Sequence, residues 1–127
     1  MLTYCVDRAA VEVSVGELCR LALMNGDLDR GLFRAGAWRL REGSSLHTML
    51  QESAGPEYRA EVPLSHSTLF DGLTYTVSGR ADGVIERRDG SRLCVEEIKS
   101  VRGGMFYMPP PEVYLAQLYC YAHFLCA

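Results

Sequence analysis

The sequence predicts an α+β fold on one sheet: an antiparallel three-stranded meander flanked by helices, in the order α-α-β-β-β-α. Three observations carry this. Leu18, Leu21, Ala22 and Met24, and then Gly43, Leu46, His47 and Leu50, fall at helical spacing. From Tyr58 the period drops to two. Two Asp-Gly pairs, Asp71-Gly72 and Asp89-Gly90, punctuate that alternating stretch. Such pairs are strong hairpin signals, because a two-residue turn requires φ > 0 at both central positions.

Each element has its own signal. Residues 10–15, AVEVSV, alternate like a short strand. Ser14-Val15-Gly16-Glu17 resembles a capping box and opens a first helix over about 15–25, which Asn25-Gly26-Asp27 ends. Residues 26–36 are glycine-punctuated and arginine-bearing, a loop or a broken helix. A second helix covers part of 37–53, and Ser53-Ala54-Gly55-Pro56 closes it. Gly43 costs helix propensity, which a close approach to another backbone explains. Strands follow at 59–70, 73–87 and 92–101, with Gly79 and Gly83 marking a bend or bulge in the middle one. Gly103-Gly104 and Pro109-Pro110-Pro111 bracket a loop, and Pro111-Glu112 starts a last helix over about 112–125.

The bulk numbers describe one ordinary domain of 127 residues, 48% apolar and 23% charged. The N-terminus, MLTYCVDRAA, lacks a charged-then-apolar signal pattern, and no apolar run approaches the ~18 residues of a membrane span. The expectation is a cytoplasmic protein with no membrane partner. Five cysteines without a CxxC favour buried thiols over a disulfide framework or a zinc site. A net charge of −3 argues mildly against nucleic-acid binding. Residues 30–41, however, hold Arg30, Arg34, Arg39 and Arg41 with no acid among them, either a solvated face or a contact to a DNA backbone.

The chemistry gathers at residues 79–100, GRADGVIERRDGSRLCVEEIKS. With Asp89-Gly90 as the turn, cross-strand partners sum to 179, which sets Asp82 opposite Glu97 and Arg80 opposite Lys99. Alternation then puts all four on one face and Glu96 on the other. Opposed acids repel across a sheet. A Mg²⁺ ion between them removes the objection, since it is held by one or two carboxylates plus waters and phosphate oxygens. Lys99 points to the same place and is the only lysine; the remaining twelve of thirteen cationic side chains are arginines. A compact ammonium serves a different purpose from a guanidinium fork. The competing reading is a solvated face with cross-strand ion pairs, which opposed acids suit poorly.

Asp82, then Glu97-Ile98-Lys99, then Gln117-Leu118-Tyr119-Cys120-Tyr121, preceded by Gly43-Ser44-Ser45-Leu46-His47, resembles the RecB-type branch of the PD-(D/E)XK nuclease superfamily. The phrases GRADGVI, VEEIKS and YLAQLYCYAHFL look most like the nuclease module in front of a DinG/XPD-type helicase motor. The resemblance spans roughly residues 12–125 and implies a restriction-endonuclease-like core. It implies that His47, Asp82 and Glu97, with the carbonyl of Ile98, ligate Mg²⁺ or Mn²⁺. Lys99 would orient or help deprotonate the attacking water. Gln117 and Tyr121 would line the site and position Lys99 or the DNA backbone. Arg80 would contact a phosphate or serve structurally, and Arg39 and Arg41 are the further candidates for DNA.

The family pattern is not complete. Arg80-Ala81-Asp82 lacks the proline of the superfamily's name, as is common in this branch. Some relatives hold an iron–sulfur cluster with one cysteine before the core and three after the last tyrosine. Only Cys126 follows Tyr121, so no cluster is expected. The function implied is metal-dependent hydrolysis of DNA phosphodiester bonds, as an exonuclease module in repair or recombination. Its partners would be DNA, single-stranded or at duplex ends, and a helicase motor in the same full-length chain. A catalytically silent nucleic-acid-binding module and a stand-alone CRISPR-type nuclease are the alternatives. Tyr107, Tyr114 and Tyr119 stack on bases or pack the core and rim in any of these.

Overall fold

A computed structural model describes residues 2–24, 37–100 and 111–127, with the side chains of 37–44 outside that description. The elements are β1 (Thr3–Cys5), β2 (Ala10–Ser14), α1 (Val15–Ala22), α2 (Ala37–Ser53), β3 (Tyr58–Phe70), β4 (Leu73–Glu86), β5 (Leu93–Glu96) and α3 (Glu112–Cys126). The fold is α+β, but the sheet has five strands and is mixed: β2 runs parallel to β4, while the other pairs are antiparallel. The meander is therefore a part of the sheet. The short β1, beside β2 at its far end, was not expected.

The two Asp-Gly turns behave differently. Asp71 (φ 49°) and Gly72 (φ 75°) both lie in the left-handed region and join Phe70 to Leu73, the two-residue turn expected. At the other hairpin only Gly90 (φ 71°) does. There Asp89 Oδ1 accepts the Ser91 N–H at 2.9 Å and Gly90 N–H reaches the Arg87 carbonyl at 2.8 Å. This side-chain turn opens the connection to four residues, closed by Arg87 N–H on the Arg92 carbonyl. A four-residue loop centred on the same point keeps the register, and Val84 still faces Val95.

The other departures are local. Helix α1 stops at Ala22, short of the expected 25. Its first turn is capped as expected, the Ser14 hydroxyl accepting the Glu17 N–H at 3.2 Å. β4 runs through Gly79 and Gly83 in unbroken register with β3; the irregular residue is Glu61 on β3, at φ 55°. Helices α1 and α3 touch each other and the sheet, and Val15, Cys19, Ala81, Val84 and Tyr121 are buried between them. The Gly103-Gly104 loop and the arginines at 30 and 34 lie outside the described residues. Among those described, no helix is long and apolar enough to cross a membrane.

Burial pushes the Cys19 thiol up to about 11, with the Cys120 sulfur 3.9 Å away adding to the shift. The thiolate is the reactive form. Alkylation of the native protein at mildly alkaline pH is expected to mark exposed Cys126 and spare Cys19, which peptide mapping checks.

Candidate functional site

The site is built on β4. Strand β3 lines one edge of it from Leu73 to Ile85. The opposite edge is divided, β2 pairing with residues 74–78 and β5 with residues 83–86. Gly79-Arg80-Ala81-Asp82 thus sits in a fork, with no strand on that side among the described residues. Other groups fill it. The Arg80 N–H donates to the Tyr121 hydroxyl of α3, and Asp82 Oδ2 accepts the Ile98 N–H at 2.5 Å.

That last bond explains why β5 ends early. The chain leaves the ladder at Glu96, not at 101 as expected, because the Ile98 N–H turns to the Asp82 carboxylate. The register ends at Gly83 opposite Glu96, so neither Asp82 and Glu97 nor Arg80 and Lys99 pair across the sheet. Arg80 reaches over to β3, its Nε 2.6 Å from Glu61 Oε2, and its side chain is exposed. Ile98 contributes its N–H to the cluster.

Glu97 comes just beyond the strand. Only 11% of its side chain is exposed, and Oε1 lies 2.7 Å from Lys99 Nζ. The other oxygen, Oε2, is buried with no hydrogen-bond partner. Burial pushes the Glu97 carboxyl up against the pull of Lys99, and the charge of Asp82 adds to the rise. Lys99 Nζ also stands 5.1 Å from the centroid of the Tyr114 ring, a cation–π arrangement. The solitary ammonium is held between a carboxylate and an aromatic face.

The helices supply the remaining groups. His47 on α2 has Nδ1 3.6 Å from Asp82 Oδ1. Gln117 on α3 has its amide nitrogen against Gly16 of α1, and its Oε1 is buried without a partner. Arg39 and Arg41 belong to α2, but their side chains lie outside the described residues. Tyr121, 6% exposed, is pushed up to about 12 by burial and then by the charge of Glu97. Its proton is held more tightly in the folded state than at the ordinary value of 10.0, so the resulting stability is complete below pH 10 and lost as pH rises towards 12. Ultraviolet titration of the seven tyrosines is expected to show Tyr121 among the last to ionise. Replacing Tyr121 with Phe should flatten the alkaline fall in stability over that window.

Tyr114, named from the sequence only for base stacking or packing, sits beside Lys99 and shares the α3 face of Gln117 and Tyr121 at i, i+3 and i+7. Three residues here were not singled out from the sequence. Gln51 shares the α2 face of His47 at i+4. Its Nε2 donates to the Asp82 carbonyl and to Glu61 Oε1, both at 2.8 Å. The Tyr58 hydroxyl donates to the same carbonyl at 3.2 Å. Burial, and next the neighbouring Glu96 carboxylate, push that hydroxyl up. Glu61 holds a left-handed conformation within a strand, which costs a non-glycine residue on the order of 1–3 kcal/mol.

Among the described residues no three His, Cys, Asp or Glu side chains are gathered as a ready-made metal site. The residue types nonetheless suit a hard divalent cation: the His47 imidazole stands 3.6 Å from the Asp82 carboxylate, and Glu97 Oε2 is a buried acceptor without a partner. His47, Asp82 and Glu97 are the residues that could hold one.

No family model matches the sequence, and none of the curated proteins does. Among solved structures, that of the protein SSO0001 aligns with a TM-score of 0.63 at 22% identity, over 91% of this chain and 57% of the other. At that identity the likeness speaks to the fold alone. The chain spans little more than half of that structure.

Proposed function

We propose that the protein is a metal-dependent deoxyribonuclease of the RecB-like PD-(D/E)XK type, serving as the exonuclease module of a DNA helicase in repair or recombination. The observation that carries this reading is the state of Glu97: nearly buried, bonded through one oxygen to the only lysine, and without a partner at the other. A Mg²⁺ or Mn²⁺ ion held by His47, Asp82 and Glu97, with the Ile98 carbonyl, supplies polarisation of the phosphoryl oxygen and a bound water of lowered pKa. Lys99, steadied by Glu97 and Tyr114, orients the attacking water and offsets charge developing on the phosphoryl oxygens. Tyr121 stays protonated at neutral pH and anchors the β4 backbone at Arg80. Gln117 and Tyr121 line the approach of the DNA backbone, and a helicase motor in the full-length chain delivers the strand.

The test is cleavage of single- and double-stranded DNA with Mg²⁺, Mn²⁺ or EDTA. Metal-dependent cleavage is expected, reduced about 10²-fold or more in Lys99→Ala and Glu97→Ala. Cleavage that persists in EDTA, or that stays at the wild-type level in both variants, rules the assignment out. Tight DNA binding with no cleavage under either metal would identify a catalytically silent module.

A further inference from the structure

We propose that Gln51 is a positioning residue whose amide fixes helix α2 on the sheet so that His47 faces Asp82. Its role in metal binding rests on the reading of His47, Asp82 and Glu97 as a cation site. An amide nitrogen carries two hydrogens, and both of Gln51's are used, one on the Asp82 carbonyl and one on Glu61 Oε1. His47 and Gln51 are four apart on α2, so they project from the same face. The residue that grips the Asp82 backbone thus sits one helical turn from the residue that meets the Asp82 side chain.

The surroundings are arranged to receive that amide. Glu61 takes its left-handed conformation opposite Asp82, and Arg80 secures its second oxygen at 2.6 Å. The Tyr58 hydroxyl shares the Asp82 carbonyl. Its ring covers Gly83, where a Cβ would collide with it, so glycine there leaves room for the tyrosine. Apolar packing does little to fix this part of α2: Leu46, Met49 and Leu50 are 40%, 57% and 48% exposed. Directional bonds set the position of the helix where burial does not.

The test measures Mn²⁺ affinity by calorimetry in wild type, Gln51→Ala, Gln51→Met, His47→Ala and the Gln51→Ala/His47→Ala double variant, with thermal unfolding recorded alongside. Either Gln51 substitution is expected to weaken Mn²⁺ about 10–100-fold, as is usual for groups that orient a metal ligand. Once His47 is gone, Gln51→Ala should cost nothing further. An equal loss in both backgrounds, or wild-type affinity in Gln51→Met, overturns the proposal. A metal-free arm follows the His47 ring resonances by NMR. Asp82→Asn should shift them in the wild type and leave them unmoved in the Gln51→Ala background; equal shifts in both overturn the proposal. If wild type binds no Mn²⁺ but the NMR arm succeeds, the cation reading fails while the positioning of His47 stands.

Discussion

Glu97→Gln is expected to move activity and stability in opposite directions. The carboxylate lies with 11% of its side chain exposed and one oxygen unpartnered, and burial holds its carboxyl above the ordinary value despite Lys99 at 2.7 Å. A folded-state value raised above the unfolded one gives stability that is complete below the unfolded value, near 4.5, and is lost as pH climbs through the folded value. Above the folded value the wild type has lost that contribution. The neutral isostere avoids the loss, so the urea midpoint of Glu97→Gln should exceed that of wild type, and the gap should close as the pH falls. Cleavage should drop on the order of 10²-fold, because the amide no longer supplies a charged ligand or an anchor for Lys99. A variant less stable than wild type at neutral pH would contradict the account of Glu97 as a strained, functional acid. This is the trade-off expected where a site is kept at the expense of stability.

Gly79→Ala is expected to destabilise the fold by about 1–3 kcal/mol, the usual cost of inserting a methyl group into packed surroundings. A Cβ at this position would stand 2.7 Å from the Tyr121 hydroxyl, 2.9 Å from its Cε1 and 3.1 Å from Val15 Cγ2. Neither neighbour can yield easily, since Val15 is fully buried and Tyr121 is 6% exposed. Moving Tyr121 would also break its bond from the Arg80 N–H, in the stretch of β4 where no second strand is described. Urea denaturation measures the loss. Adding Tyr121→Phe should recover part of it, because the nearest atom is then absent. An unchanged midpoint in Gly79→Ala would show that the tyrosine is not wedged against the strand.

The glycines show what a sequence can and cannot announce. Gly79 and Gly83 suggested a bend or bulge in β4, yet the strand keeps its register with β3 past both. They are small because Tyr121 and Tyr58 lie over them, a requirement set by residues far away in the chain. Glu61, in contrast, carries no mark of its left-handed φ, since its bonds to Gln51 and Arg80 exist only once helix and sheet have met. The parallel pairing of β2 with β4 was equally hidden: AVEVSV shows alternation, but alternation does not name a partner.

Most local elements, and the hairpin register that brings Asp82 towards Glu97, were legible in the order of amino acids alone. Helical and alternating periods, a capping serine and Asp-Gly turns act over a few residues, so they are readable without knowing what packs against them. Where β5 lets go of the sheet, the turn of Arg80 to Glu61 and the rest of Lys99 between Glu97 and Tyr114 emerge only once the chain is packed. Those outcomes are competitions between a ladder bond and a side-chain partner of comparable strength. Which partner wins depends on distances that exist only after α2 and α3 have docked on the strands.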